Sequence, residues 1–183
     1  MRWWLRSLAI GAAIGFAVGF VIGGTLGRVF MRVLFLARED TLGFTTAMGA
    51  IVGEFTGPGT IAIYAFGAIA GVALGVAYAL ARTLLPSGTR LRTLFFTLGT
   101  TAFMLGQIVR GNREDFAVLP VTLSLILIVC SVALTAAPVP LLVERFAPDR
   151  ERSPGRLAQG AVLLGMTGFA AFALTGIATA YAV

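Results

Sequence analysis

Apolar residues in this 183-residue chain occur in five long runs that short polar stretches separate. A helix that crosses the roughly 30 Å hydrocarbon core of a bilayer needs about 20 apolar residues, and each run is long enough. The pattern therefore predicts an all-α integral membrane protein, with residues 1–183 forming a single transmembrane domain. The five predicted transmembrane helices are residues 5–27, 60–81, 91–109, 118–143 and 157–181. Pro138 and Pro140 lie near the end of the fourth, so we expect its last turns to be kinked or unwound.

Glycines recur at every fourth residue along the first predicted helix and again along the second. Lipid provides no hydrophobic force between helices, so small residues that let backbones touch are the main sequence sign of tight association. We therefore expect these two helices to pack through their glycines, with Gly19 and Gly71 near the middle of the contact. The predicted packing glycines are Gly11, Gly15, Gly19, Gly23 and Gly27 in the first helix and Gly67, Gly71 and Gly75 in the second.

The glycine stripe of the first helix also winds around the helix axis. A step of four residues overshoots the 3.6-residue turn by about 40°, which adds up to roughly 160° between Gly11 and Gly27. One straight partner would not cover the whole stripe. Either the partner crosses in a right-handed sense, or the two ends of the stripe serve different neighbours, one of which could be another subunit.

The longest connection, residues 41–59, contains glycine, threonine, alanine and apolar residues, with Glu54 as its only charged residue. Residues 45–47 and 51–56, on either side of residues 48–50, allow a short outer β-hairpin, and Gly57, Pro58 and Gly59 have the composition of a turn. A re-entrant segment or an interfacial helix is the alternative for this connection.

Composition and charge agree with a membrane protein. Hydrophobic residues make up 58% of the chain and charged residues 12%, and the mean hydropathy is +0.94. The net charge of +6 would suggest a nucleic-acid partner for a soluble protein, but here the basic residues lie at the ends of apolar runs, where lipid headgroups and topology explain them. We therefore expect the lipid bilayer, and no nucleic acid, as a partner. Nine of the 14 arginines lie on the side of the N-terminus, which predicts a cytoplasmic N-terminus and an external C-terminus.

Arg28 and Arg32 lie one turn apart at the outer end of the first helix and, with Glu54, form a candidate outer polar cluster. These arginines could anchor lipid phosphate, pair with Glu39, Asp40 or Glu54, or contact an anion at an outer opening. Because Glu54 is the only acid in an otherwise uncharged stretch, we expect it to be paired with Arg28 or Arg32.

The residue types argue against catalysis. The chain has no histidine and no lysine, its one cysteine, Cys130, lies within an apolar run, and the eight acidic residues lie in loops or near helix ends. Base-activated nucleophiles and nitrogen metal ligands are therefore missing. We predict no catalytic, cofactor-binding or metal-binding residues and no enzymatic activity.

Several short motifs resemble a family of small multi-pass membrane proteins from GC-rich Gram-positive bacteria. They are GRVFMR at 27–32, VGEFT at 52–56 with Gly59 and Thr60, DF at 115–116 with Pro120, and LVER at 142–145. The resemblance would span residues 20–146 and implies a shared architecture in the bacterial cytoplasmic membrane, with no particular activity. The family pattern has adjacent acids before a glycine in the first outer loop, whereas here Thr46, Ala47 and Met48 precede Gly49, which argues against a cation site in that loop.

The functional expectation is an association role, as a homo-oligomer or as an accessory subunit of a larger membrane complex. The alternative is a small channel or transporter for an ion or small solute, with Arg28, Arg32 and Glu54 near its outer opening. An interrupted helix or a polar stripe across the membrane would favour transport, and a dry interior with an open glycine face would favour association.

Overall fold

The structure, a computed structural model, describes residues 2–37, 56–147 and 156–182. All regular structure in these residues is helical, so the predicted all-α fold is confirmed for them. The helical elements are α1 (Arg2–Val18), a π-helical segment (Gly19–Gly23), α2 (Gly24–Ala37), α3 (Gly57–Ala81), α4 (Thr89–Gly111), α5 (Asp115–Val118), α6 (Val121–Ala136), α7 (Pro138–Phe146) and α8 (Arg156–Tyr181).

Four helical stretches are long and apolar enough to cross a membrane. They are Trp4–Ala37, Gly57–Ala81, Val121–Phe146 and Leu164–Tyr181. The first joins α1, the π segment and α2, and the third joins α6 and α7. The predicted span at 91–109 does form a helix, α4, but arginines near both of its ends and several threonines lower its hydropathy. A fifth crossing by α4 therefore stays a prediction.

The predicted hairpin or re-entrant segment at 41–59 lies outside the described residues except for its last four. Gly57, Pro58 and Gly59 are the first turn of α3, not the separate turn that their composition predicts. The Thr56 hydroxyl caps this helix by accepting a hydrogen bond from the Gly59 backbone N–H at 3.3 Å. Proline is tolerated in a first helical turn because the N–H groups there have no acceptor within the helix.

The predicted break in the fourth span is mild. Ala137, between α6 and α7, keeps helical dihedral angles (φ −62°, ψ −39°), and its N–H still donates to the Ala133 carbonyl at 3.0 Å. Pro138 and Pro140 lack N–H groups, so two carbonyls of the preceding turn lose their helical donors. The helix therefore lacks these backbone hydrogen bonds at the two prolines but is not unwound.

Two helix pairs, α1 with α3 and α4 with α8, have the most extensive contacts, and α6 and α7 lie between them. One apolar cluster joins α1, α3, α4 and α7 around Tyr78, Val139 and Val143. A second joins α4, α6 and α8 around Val109 and Ile128. We call the two ends of this bundle the Glu144 end, where α3 and α7 finish, and the Arg28 end, where α3 begins.

Candidate functional site

The glycines of α1 and the π segment face those of α3 across an antiparallel contact. A Cβ atom built on Gly11 would lie 2.5 Å from the carbonyl oxygen of Gly75. Cβ atoms essentially never come within 3.0 Å of another atom, so only glycine fits. Backbone therefore meets backbone over about two turns, which is the close approach that stabilises helix pairs in lipid. The facing pairs are Gly11 with Gly75, Gly15 with Gly71, and Gly19 with Gly67.

The rest of the stripe also lies against α3. A Cβ atom on Gly23 would lie 3.6 Å from the Cα atom of Gly67, and one on Gly27 would lie 2.7 Å from a methyl carbon of Ile63. Of the two alternatives, a single partner along the stripe describes α3, and α6 joins it at Gly23, where the nearest atom is a methyl carbon of Thr135 at 3.5 Å. These five glycines of the first span, Gly11 to Gly27, are all covered from within the subunit.

The π-helical segment explains why one partner covers the stripe. In an α-helix a four-residue step overshoots a turn, but a π turn contains more residues, so the same step falls short of a full turn. The segment Gly19–Gly23 occupies one such step of the glycine stripe. In an unbroken α-helix the glycine stripe would rotate further around the helix axis. The π-helical segment partly reverses this rotation and keeps Gly23 and Gly27 on the side of the helix that faces α3.

The structure separates the two arginines of the candidate outer cluster. Arg28 is buried, with 8% of its surface exposed, and donates a hydrogen bond to the Thr56 carbonyl oxygen at 3.2 Å. It also donates to the Thr60 hydroxyl, so it fastens α2 to the start of α3. Arg32 is exposed and lies over the Phe35 ring, 5.1 Å from its centroid. Glu54 lies outside the described residues, so its pairing with Arg28 or Arg32 stays a prediction.

A second polar cluster lies at the Glu144 end and was not predicted from the sequence. The Glu144 carboxylate accepts a hydrogen bond from the Tyr78 hydroxyl at 2.6 Å and forms an ion pair with Arg92 at 3.2 Å. Tyr78 is fully buried, and its ring meets the edge of Phe96 at 5.0 Å between centroids. Arg92 also donates to the Pro86 carbonyl oxygen at 3.2 Å. The cluster therefore ties α3, α4, α7 and the α3–α4 turn together.

A weak signal for this cluster exists in the sequence. Tyr78 is a large polar aromatic residue in an otherwise small and aliphatic stretch of α3. A buried tyrosine hydroxyl requires a hydrogen-bond partner. Glu144 directly follows the fourth predicted helix, 118–143, which ends on the same side as the second. Arg92 is one of the arginines that predict the membrane orientation, and its position in the sequence does not identify its partner.

The α4–α8 pair is parallel and uses glycines together with aromatic rings. A Cβ atom on Gly176 would lie 3.1 Å from the Cα atom of Gly106. Near the Arg28 end, the Arg110 guanidinium lies 3.9 Å from the centroid of the Phe172 ring and donates a hydrogen bond to the Thr175 hydroxyl at 2.5 Å. Cation–π and hydrogen-bond contacts therefore hold α8 to α4 near the Arg28 end.

An apolar groove of about 560 Å³ lies between α3, α4 and α8. It exists because α3 presents alanines at four-residue steps, Ala73, Ala77 and Ala81, and because Gly99 and Gly165 contribute no side chain. Among the described residues that line it, Thr100 is polar and the others are alanine, glycine, leucine, methionine and phenylalanine. The groove suits an apolar ligand.

Within the described part of the chain, no three His, Cys, Asp or Glu side chains lie together as a metal site would require. The polar groups instead fasten helices to one another at the two ends of the bundle. Comparison of the chain with protein-family models, with curated proteins and with solved structures finds no match.

Proposed function

We propose that the protein has a non-enzymatic association role in the bacterial cytoplasmic membrane, as a homo-oligomer or as an accessory subunit of a membrane complex. The observation that supports this is the open glycine face of α8. A Cβ atom built on Gly160 or on Gly168 would meet no other atom within 4 Å. These two glycines are eight residues apart, so they lie about 80° apart around the helix axis and on the same half of the helix.

Glycine in a helix interior costs about 1 kcal/mol of helix stability relative to alanine, so glycines without a packing contact in a membrane helix require an explanation. The glycines of α1 and α3 offset that cost by backbone contact, and so does Gly176 against Gly106. Gly160 and Gly168 make no such contact with the residues that the structure describes. A helix from another subunit would supply it.

The test is the size of the assembly in mild detergent, measured by light scattering after size exclusion. We expect the wild-type protein to be a dimer or larger, or to carry a stoichiometric membrane partner, and Gly168→Leu to lose that assembly because a leucine would hold the helices apart. Ala170→Leu, on an exposed position of the same helix that faces a different side, is the matched control and should assemble normally. A monomeric, partner-free wild type would contradict the proposal.

A channel or transporter is the second candidate, and two observations favour it. The first span contains the π-helical segment, and such segments are frequent at functional sites. The hydroxyl groups of Thr97, Thr101 and Ser124 are buried without a hydrogen-bond partner in α4 and α6. Ion or solute flux across liposomes that contain the purified protein would support this candidate over association.

We also propose the orientation with the N-terminus in the cytoplasm. Ser87 and Arg113 are exposed in turns at opposite ends of the bundle. In a Cys130→Ser background, we expect a membrane-impermeant maleimide to label Arg113→Cys in intact cells and to label Ser87→Cys only after permeabilisation. Labelling of Ser87→Cys from outside intact cells would reverse the proposed orientation.

A further inference from the structure

We propose that ordered water binds in the middle of the bundle, between the hydroxyl groups of Thr97 and Thr101 in α4 and a backbone carbonyl group of α6. The hydroxyl oxygens of Thr97 and Thr101 are buried, and neither has a hydrogen-bond partner among the described residues. Buried polar groups are normally hydrogen-bonded, either to the protein or to ordered water. A group that supplies the missing partner is therefore expected beside them.

Other threonines in the helices of this protein form hydrogen bonds within their own helix. Their hydroxyls donate to a carbonyl oxygen three or four residues earlier, which is a common arrangement for threonine inside a helix. Described examples are Thr93, Thr135, Thr167, Thr175 and Thr179. The hydroxyls of Thr97 and Thr101 do not follow this pattern, so they can bind a partner outside α4.

Thr97 and Thr101 lie on the side of α4 that faces away from α8. Gly99 and Phe103 are close to Phe169 of α8, so they mark the side that faces it. Thr97 and Thr101 are two residues before and two residues after Gly99, which places each about 160° from it around the helix axis. The other helices with extensive contacts to α4 are α6 and α7. The two buried hydroxyls therefore lie on the side of α4 that packs against α6 and α7.

The junction of α6 and α7 provides hydrogen-bond acceptors. Pro138 and Pro140 have no N–H group, so the carbonyl groups four residues earlier, at Leu134 and Ala136, have no α-helical donor. Ala136 is fully buried, so its carbonyl oxygen is inside the bundle. In membrane helices, the carbonyl groups that proline leaves without a donor are satisfied by neighbouring helices, hydroxyl side chains or ordered water.

Ala136 lies at the same depth in the bundle as the two threonines. The ion pair between Arg92 and Glu144 fixes how α4 lies along α7. Ala136 is eight residues before Glu144, or about 12 Å along the helix. Thr97 and Thr101 are five and nine residues after Arg92, or about 7.5 and 13.5 Å along α4. Ala136 therefore lies between the two threonines in depth.

The chemistry of these groups selects water as the ligand. A carbonyl group only accepts hydrogen bonds and a hydroxyl group also donates, so a ligand that bridges them has to donate and accept. No residue is charged from Thr93 to Val109 in α4 or from Val121 to Val143 in α6 and α7. A charged ligand would lack a counter-charge there, which is unfavourable in apolar surroundings. Water is uncharged, donates and accepts, and when buried typically makes about three hydrogen bonds.

The inference is independent of both proposed functions. Bound water satisfies these buried groups whether or not an ion or solute crosses the membrane. Flux across liposomes tests the crossing, and oligomer size tests association. A hydrated site without flux would therefore leave the association role as it stands.

The experiment measures magnetisation transfer from water to the alanine residues of the protein in liposomes, by water-edited solid-state NMR. We expect transfer to the Ala136 carbonyl carbon, although none of the surface of Ala136 is exposed. A variant that combines Thr97→Val with Thr101→Val keeps the side-chain shape and removes both hydroxyls, so it should lose this transfer. Absence of transfer to Ala136 in the wild type would overturn the proposal, as would equal transfer in the double variant.

Two further variants separate the loss of hydroxyl groups from a change in packing. Thr93→Val is the matched control, because the Thr93 hydroxyl already donates to the Thr89 carbonyl oxygen at 2.8 Å, and it should keep the transfer to Ala136. A variant that combines Thr97→Ser with Thr101→Ser retains both hydroxyls and should also keep it. Loss of the transfer in either control would contradict the assignment of the water to Thr97 and Thr101.

Discussion

A Gly15→Ala variant is expected to lose about 3 kcal/mol of unfolding free energy, the upper part of the range for overpacking of a well-packed core. The added methyl group would overlap the carbonyl oxygen of Gly71 in α3. That atom belongs to the backbone, so it cannot rotate away as the end of a side chain could. The two helices would have to separate, and the backbone contact along the glycine pairs would be lost.

The matched control for this variant is Gly165→Ala. An added Cβ on Gly165 meets nothing within 4 Å, so the substitution should be neutral or stabilise α8 by about 0.5–1 kcal/mol through helix propensity. Both variants make the same chemical change within a helix, so the difference between them isolates the helix contact. Unfolding followed by circular dichroism in detergent measures it. Equal stability of the two variants would refute the packing of α1 on α3 through glycine.

The glycine contact shows which features of helix packing the spacing of glycines predicts by itself. The four-residue spacing indicates where backbones can approach, because only residue size and helical geometry enter that inference. The coverage of the whole stripe by α3 could not be predicted, since it depends on the π segment at Gly19–Gly23. No residue type in this stretch distinguishes a π turn from an α turn. The change from α-helical to π-helical geometry depends on packing with α3.

The polar residues were harder to place than the apolar ones. Arg28 and Arg32 have the same residue type and lie one turn apart, yet one is buried and the other exposed. A 3.6-residue period places both on one helical face, but it does not say where the neighbouring helix ends. Arg28 reaches the first turn of α3, and Arg32 lies one turn further out. Such differences are decided by tertiary contacts between residues distant in sequence.

A Glu144→Gln variant is expected to lose about 3–5 kcal/mol of unfolding free energy, the cost of removing one partner from a buried ion pair. The side chains of Arg92 and Glu144 are 14% and 8% exposed, so solvent screens the pair little. The neutral amide would leave the Arg92 charge uncompensated among apolar side chains. Tyr78→Phe should cost about 1.5–3 kcal/mol, because it removes one hydrogen bond to a charged group and keeps the ring contact with Phe96.

A double-mutant cycle separates the pair from the general effect of each substitution. Arg92→Gln combined with Glu144→Gln should cost less than the sum of the single variants by about 1–3 kcal/mol, because the double variant leaves no unpaired charge. Glu114→Gln, on an exposed acid at the opposite end, should change stability by less than about 0.5 kcal/mol. Additive costs for the two single variants would contradict the ion pair. In that case α7 would be held against α3 and α4 by its apolar contacts through Val139 and Val143, and the Glu144 end would be fastened in the same way as the rest of the bundle.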